Sequence, residues 1–300
     1  MNNVATGVSN SASFALASKV KDYFQLIKFT LSFTVVFSCV VCYLLSPNVQ
    51  FNLQSVLLLF IAGMLITGSA NAINQLEEKD TDALMRRTAG RPVAAGRMSV
   101  NEAWAFAIIT GIAGSLLMWY YFNFVSAILG LFSLLLYAFV YTPLKKINSI
   151  SVLVGAFPGA LPCLIGWVAG TGRFGVGGWV LFGIQFLWQF PHFWAIAWVA
   201  HKDYEKAGFK LLPGREGPTK FTALQSIIYS MLMIPVGMLP FYFQISGSVS
   251  LWILLVCNLT MVFLSIMLFM RMNVQAARRV MFGSYFYLVT VFLSLLFDKL

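Results

Sequence analysis

Long apolar stretches alternate with short polar ones along nearly the whole chain. Each apolar stretch is about 18 to 25 residues long, the helix length that crosses a hydrocarbon layer of about 30 Å. They predict nine transmembrane helices in a polytopic all-α protein. The spans lie near residues 26–46, 54–75, 102–120, 124–142, 150–170, 177–199, 221–244, 249–270 and 280–297. No soluble domain interrupts them, so we predict one membrane domain over residues 1–300, with residues 1–21 as a flexible cytoplasmic tail.

The composition is that of a protein surrounded by membrane lipid. Hydrophobic residues make up 59% of the 300 residues and charged residues 10%. The mean hydropathy is +0.81. A soluble domain needs a far more polar surface than this composition can supply, so soluble protein classes are excluded.

The cations are distributed unevenly between the loops. All but two of the 20 Lys and Arg residues lie in or beside the amino-terminal tail and the loops after every second span; the exceptions are Arg173 and Lys299. Because short loops rich in Lys and Arg stay in the cytoplasm, we predict a cytoplasmic amino terminus, a periplasmic carboxy terminus and a bacterial inner membrane. The net charge of +10 then reflects topology and does not indicate nucleic-acid binding.

One strongly charged segment follows the second span. The sequence NAINQLEEKDTDALMRRTAGRP, residues 71–92, contains four acidic and four basic residues. Asn74, Glu78 and Asp82 recur at every fourth position, so a continuous helix would place their oxygens along one edge. Such oxygens suit Mg²⁺, which typically bridges one or two carboxylates to substrate phosphates. This edge is a predicted magnesium site, and the alternative is a solvated loop.

A second acidic loop lies four spans later on the same side of the membrane. The segment HKDYEKAGFK contains Asp203, with Lys202 beside it. The two loops are candidates for equivalent positions in a parallel repeat. Their shared side of the membrane predicts one site between them.

Cations accompany the acidic residues. Arg87 and Arg91 follow the first acidic edge, and the segment YTPLKK contributes Tyr141 and Lys145. Guanidinium and ammonium groups bind phosphate oxygens. Together with Lys202, these residues predict a site for a diphosphate, and a site in a membrane domain implies a diphosphate with a lipid tail.

These segments resemble a known family. The N-x-x-x-[DE]-x-x-x-D edge and its partner loop are similar to those of the UbiA superfamily of intramembrane prenyltransferases. The resemblance runs from about residue 22 to 297 and is most specific for the branch that farnesylates haem. That branch is indicated by RTAGRP, YTPLKK, GAFPGALPCLIGW, QFPHFWAIAW and DYEKAGFKLLP.

The resemblance implies a UbiA-like helical bundle and a Mg²⁺-dependent transferase. Farnesyl diphosphate and haem B would be its substrates, haem O its product, and haem A synthase or a terminal oxidase its possible partners. By position, Asn74, Glu78 and Asp82 would form the first catalytic metal motif and Asp203 an acid of the second. The sequence departs from the superfamily at two points. Glu78 stands where many members have Asp, and no acid lies four residues to either side of Asp203.

One histidine lies inside a predicted span. His192 comes eleven residues before Asp203, so on a continuous helix the two would share a face at about 16 Å separation. Ionisable side chains inside a membrane usually have a function, and we predict that His192 contacts haem. The alternative is a buried histidine that bonds a neighbouring carbonyl group.

Two other functions fit parts of the pattern. A quinone- or chlorophyll-type aromatic polyprenyltransferase would share the diphosphate site, but the incomplete second motif and the segment QFPHFW argue against it. A cation-coupled membrane transporter would combine repeats with polar groups near the bilayer midplane. The acidic groups of this sequence cluster at one membrane face, which favours the transferase.

Overall fold

The computed structural model describes residues 18–214 and 217–300, which are helical apart from turns and one isolated β-bridge. The long helices are α2 (Phe29–Leu45), α3 (Leu53–Glu77), α5 (Val100–Tyr121), α6 (Phe124–Leu135), α8 (Ser151–Thr171), α9 (Val176–Val199), α11 (Lys220–Tyr242), α12 (Ser248–Arg271) and α13 (Val274–Phe297). The short helices are α1 (Ser18–Leu26), α4 (Lys79–Leu84), α7 (Thr142–Leu144) and α10 (His201–Lys206). A π-helical segment, Leu136–Tyr141, joins α6 to α7.

The predicted all-α membrane architecture is confirmed. Eight helical stretches are long and apolar enough to cross a membrane, counting α6 to α7 as one, and a ninth is obtained if α1 and α2 form one broken span. The axes of α1 and α2 differ by 51°. The bend lies at Lys28, whose φ of 48° is left-handed. Large hydrophobic side chains such as Phe263 and Phe286 are exposed on the outside of the bundle, where lipid would cover them.

The beginning of the chain differs from the predicted tail. Residues 1–17 of that tail lie outside the described residues, but α1 already begins at Ser18. Lys19 on this helix forms an ion pair of 2.8 Å with Glu102 at the start of α5. The last four residues of the predicted tail, 18–21, are therefore helical.

Several helices start at polar side chains that cap them. The first amide groups of a helix lack backbone partners, and an Asn or Ser oxygen can accept from one of them. The capping residues with such a bond include Asn52, Ser99, Asn123 and Asn273. Short polar loops therefore determine where these apolar helices begin.

Glycines in α8 permit close packing against its neighbours. A Cβ atom on Gly155 would lie 2.5 Å from the ring of Tyr141. A Cβ atom on Gly166 would overlap the carbonyl group of Cys39. Small residues at helix contacts are the usual means of close packing in membranes. Here they seat α8 against both α2 and the π-helical segment.

The carboxy terminus closes the end of the bundle away from the acidic loops. The Lys299 ammonium donates to the carbonyl oxygens of Leu44, Ser46 and Val49 at 2.6, 2.9 and 3.2 Å. Asp298 accepts from the Ser250 amide at 2.7 Å. Lys299 therefore caps the carboxyl end of α2 and the following loop. It is one of the two cations that do not follow the charge distribution of the loops.

Candidate functional site

A cavity of about 770 Å³ lies inside the bundle. Its charged wall contains Lys28, Glu78, Asp82, Arg91 and Lys145. Aromatic, apolar and amide side chains form other walls, and they include Tyr137, Tyr141, Gln189, Trp188, His192, Phe193 and Tyr285. One cavity therefore joins the first acidic segment to His192, two features that lie more than 100 positions apart in the sequence.

Asn74, Glu78 and Asp82 keep their predicted common edge although the helix is interrupted at Glu78. Helix α3 ends at Glu77 and α4 begins at Lys79, yet the amide of Glu78 bonds the carbonyl of Asn74 at 3.0 Å. The amide of Asp82 bonds the carbonyl of Glu78 at 2.7 Å. Because these bonds keep helical spacing across the junction, all three predicted side chains face inward and are at most 4% exposed.

Each of the three predicted ligands is held by one cation. Lys28 donates to the side-chain oxygen of Asn74 at 2.5 Å. Lys145 donates to Glu78 at 2.7 Å. Arg91 donates to both oxygens of Asp82 at 2.7 and 2.6 Å. From the sequence, Lys28 was used only to predict the orientation in the membrane. Its position at the opening of the first span was the signal that could have indicated a site residue.

Burial and ion pairing act on these groups in opposite directions. Burial favours a raised pKa for Glu78, but the positive charges of Lys145 and Lys28 hold that pKa below its usual range. At Asp82 burial has the larger effect and raises the pKa of the carboxyl group despite Arg91. Burial favours a lower pKa for Lys145, but the charge of Glu78 leaves it above the usual value.

The π-helical segment orients Asn74. The Thr142 hydroxyl donates to the carbonyl of Tyr137, five residues earlier, at 2.9 Å. It accepts from the side-chain amide of Asn74 at 3.0 Å, which leaves the Asn74 oxygen directed toward Lys28. The ammonium of Lys145 lies 4.6 Å from the centre of the Tyr141 ring. Irregular helical turns of this kind are frequent at functional sites.

The ends of α3 and α9 have the same backbone geometry. Glu78 has φ and ψ of −94° and 7°, and Ala200 has −95° and 12°. Each residue ends a long helix and is followed by a helix of six residues. Adding 122 to a residue number in α3 therefore gives its counterpart in α9.

The same offset relates the cavity-lining positions of the two helices. Gly63, Ile66, Thr67, Ala70 and Asn71 line the cavity, and so do Gln185, Trp188, Gln189, His192 and Phe193. The structure thus supports the parallel repeat that the sequence suggested. It also sets the register, in which Asn74, Glu78 and Asp82 correspond to Ile196, Ala200 and Tyr204.

In this register, the acidic residue of the second loop does not occupy the position of a first-loop acid. Asp203 corresponds to Thr81, lies outside the cavity lining and is partly exposed; Lys202 is exposed. Helix α9 ends at Val199 and α10 begins at His201, so a junction at Ala200 lies between His192 and Asp203. The roles of Asp203 as a metal ligand and Lys202 as a substrate-binding residue stay predictions.

Tyr204, which the sequence analysis missed, connects the two charged loops. Its hydroxyl accepts a hydrogen bond of 2.9 Å from Arg87. The guanidinium carbon of Arg87 lies 5.4 Å from the centre of the Tyr204 ring, within the range of a cation–π contact. The loops after α3 and α9 therefore meet at the cavity, as their shared side of the membrane predicted.

His192 is held by two neighbours in a defined orientation. Its ring stacks on Trp188 with centroids 4.6 Å apart and an interplanar angle of 17°. Its Nδ1 atom lies 2.7 Å from the Ser284 hydroxyl oxygen. The partner in the alternative prediction was a carbonyl group, whereas the structure gives a hydroxyl group.

The hydrogen bonds of Ser284 identify the tautomer of His192. The Ser284 hydroxyl also lies 2.6 Å from the carbonyl oxygen of Met281. A carbonyl oxygen can only accept, so the single hydroxyl proton goes to Met281 and Nδ1 of His192 must donate to Ser284. Within residues 18–214 and 217–300, Nε2 has no hydrogen-bond partner. A neutral ring therefore has a free Nε2 lone pair in the cavity wall.

The oxygen groups fit a magnesium ion shared with a substrate. The described residues contain no group of three or more His, Cys, Asp and Glu side chains placed to hold a metal. Glu78 and Asp82 nevertheless line the cavity, and the Asn74 oxygen is bonded to Lys28, which also lines it. Mg²⁺ keeps several waters and shares its coordination with substrate phosphates, so a partial oxygen shell suits it.

Solved structures with the same fold confirm the predicted bundle. A digeranylgeranylglyceryl phosphate synthase superposes with a TM-score of 0.78 at 22% identity, covering 94% of this chain and 98% of that one. A UbiA homologue from Archaeoglobus fulgidus, solved with GPP and Mg²⁺, superposes with a TM-score of 0.64 at 17% identity and covers 91% and 99%. The chain thus shares its helical fold with both of these proteins.

Sequence comparison then defines the family. The UbiA prenyltransferase family model matches residues 35–295, so the chain belongs to this family of integral membrane prenyltransferases. The protoheme IX farnesyltransferase of Cytophaga hutchinsonii is 45% identical over 285 residues, covering 95% of this chain and all of the relative. That of Flavobacterium psychrophilum is 41% identical over 292 residues and covers 95% and 96%. These matches favour a prenyltransferase over a transporter.

Proposed function

We propose that the protein transfers a farnesyl group from farnesyl diphosphate to a vinyl side chain of haem B, with addition of water, to give haem O. The observation that carries this proposal is the single cavity, which contains both the cation-lined acidic edge and His192. The names of the relatives favour haem over a quinone precursor as the acceptor. The whole chain would then act as one prenyltransferase domain.

The charged wall is suited to activating a diphosphate. When bound at Asn74, Glu78 and Asp82, Mg²⁺ would neutralise negative charge on the diphosphate oxygens. Lys28, Lys145 and Arg91 already hold these three residues, and each can exchange its oxygen partner for a phosphate oxygen. This exchange would place three cations around the leaving group, where developing charge is stabilised most.

The reaction itself is a substitution at the allylic carbon. The carbon–oxygen bond of farnesyl diphosphate breaks, and its electron pair leaves with the diphosphate. The π electrons of the haem vinyl group form the new carbon–carbon bond, and a water oxygen adds to the remaining cationic carbon and loses a proton. Apolar and aromatic walls, including Tyr137 and Trp188, would keep other water from the allylic cation.

His192 is the residue that we assign to haem. Its Nδ1 proton is committed to Ser284, so a neutral ring offers only the Nε2 lone pair to the cavity. A histidine that binds a metal commonly donates its other ring N–H in this way. The arrangement supports ligation of the haem iron and argues against a hydrogen bond donated by Nε2.

The orientation in the membrane also forms part of the proposal. The loops after α3 and α9, together with Lys220 at the start of α11, carry ten of the 20 Lys and Arg residues, which supports a cytoplasmic face for the charged wall. The amino terminus would be cytoplasmic and Leu300 periplasmic, in a bacterial inner membrane. Haem O carries a lipid tail, so haem A synthase or a terminal oxidase beside the bundle would be a suitable recipient.

The decisive experiment uses the purified protein in detergent with haem B, farnesyl diphosphate and Mg²⁺. Mass spectrometry should detect haem O, and chelation of the metal with EDTA should abolish its formation. Replacing haem with a quinone precursor should yield no prenylated product. Unchanged haem together with a prenylated aromatic acid would reject the haem assignment in favour of the aromatic prenyltransferase.

A further inference from the structure

The second repeat is free of acids at the positions where the first repeat carries its metal motif. Ile196, Ala200 and Tyr204 replace the amide and the two carboxylates, although the backbone at the helix end is the same. Ile196 and Tyr204 line the cavity. The part of the cavity lining that α9 and α10 contribute, which includes His192, therefore contains no acidic side chain.

Arg87 supplies positive charge beside Tyr204. Unlike Arg91 and Lys145, it forms no ion pair within 4.0 Å in the described part of the chain. Its bond to the Tyr204 hydroxyl uses one of five N–H groups. Arg87 and Tyr204 both line the cavity, together with His192 and Tyr285. The remaining guanidinium N–H groups can thus serve a ligand.

We infer that Arg87 and Tyr204 bind a carboxylate of the acceptor substrate, and that they do not belong to the diphosphate site. This inference rests on the proposed haem acceptor, which carries two propionate carboxylates. A guanidinium forms charge-assisted, often bidentate hydrogen bonds with a carboxylate, and the Tyr204 hydroxyl can donate its proton to the same group. Acids at residues 200 and 204 would repel such a ligand, so the altered second motif selects for an anionic acceptor.

The test compares haem B with its dimethyl ester, in which both propionates are esterified. Binding of each ferric porphyrin to the purified protein is followed by absorption spectroscopy, for the unaltered chain and for Arg87→Met. We expect Arg87→Met to weaken haem B binding by about tenfold and to change ester binding by less than twofold. Arg86→Met is the matched control, because Arg86 is exposed like Arg87 but does not line the cavity.

Tyr204→Phe tests the hydroxyl without a change of charge. It should weaken haem B binding by about threefold and leave ester binding unchanged. Tyr204→Asp, which places an acid at the counterpart of Asp82, should weaken haem B binding more than either variant. Equal losses of haem B and ester in Arg87→Met would overturn the inference, because they would show a change of fold or cavity shape.

A third ligand separates the two substrates. Binding of a non-hydrolysable farnesyl diphosphate analogue with Mg²⁺ should be the same in Arg87→Met and the unaltered chain. A loss of analogue binding with haem binding retained would place Arg87 in the diphosphate site and reject the inference alone. If the unaltered chain bound neither porphyrin, the haem proposal itself would fail.

Discussion

Helices α3 and α9 end in the same way. Each is followed by one residue with nearly the same φ and ψ and then by a helix of six residues. The first junction carries two carboxylates that line the cavity and one buried amide, and each of the three is held by a cation. The second junction places Ile196 and Tyr204 there and leaves Asp203 outside. Equal backbones thus hold different chemistry, and under the proposed function this difference would give the cavity a metal-binding side and an acceptor side.

Glu78→Gln should have the largest effect. The substitution keeps the size of the side chain but removes the charge that would meet the metal, so turnover should fall at least about tenfold, or about 1.4 kcal/mol of transition-state stabilisation. Haem B binding should persist. Glu77→Gln is the control, since the neighbouring Glu77 is exposed, and a similar loss in both variants would remove Glu78 from the site.

Arg91→Lys should have the next largest effect. Lysine retains the charge but cannot reproduce the two parallel bonds of Arg91 to Asp82. We expect about fivefold weaker binding of the Mg²⁺–diphosphate analogue, measured by calorimetry. Unchanged analogue binding would mean that Arg91 only neutralises Asp82 within the folded protein.

Ser284→Ala probes the acceptor side through the orientation of His192. Loss of one neutral hydrogen bond should weaken binding of ferric haem B by about fivefold and reduce the spectral signature of a nitrogen ligand to iron. Ser294→Ala on the same helix is the control, because Ser294 makes the same kind of bond to the carbonyl of Val291 at 2.8 Å. Metal-free protoporphyrin IX should bind both variants equally.

The ring proton of His192 can be located without haem. The chain contains two histidines, His192 and His201, so ¹⁵N-labelled histidine would give two ring systems, which a His201 variant would assign. We expect the Nδ1–H tautomer at His192 and loss of this preference in Ser284→Ala. A proton on Nε2 in the unaltered protein would contradict the assignment.

Asp203→Asn should have the smallest effect. Asp203 lies outside the cavity lining, so its charge acts on the site only at a distance and through solvent. Turnover should fall by less than about threefold in the standard assay. A loss as large as that of Glu78→Gln would restore Asp203 as a metal ligand and show that α10 moves when substrate binds.

Much of the fold follows from local sequence. Apolar length predicts the spans because a membrane helix must satisfy its own backbone hydrogen bonds over a fixed thickness. Polar residues such as Asn52 and Asn123 begin helices because they bond amides three residues away. The four-residue spacing of Asn74, Glu78 and Asp82 predicted their common edge, and helical bonds across the junction preserve it.

The rest was decided by contacts between distant segments. Lys28 meets Asn74 across 46 positions, Arg87 meets Tyr204 across 117, and His192 meets Ser284 across 92. No local periodicity encodes such pairs, because they depend on how helices pack against each other. Helical hydrogen bonds continue across Ala200, so Tyr204 keeps the four-residue spacing from Ile196 and lines the cavity, whereas Asp203 does not. Sequence alone thus specified the spans and the common edge of Asn74, Glu78 and Asp82, whereas helix packing determined which cations, rings and hydroxyls complete the cavity.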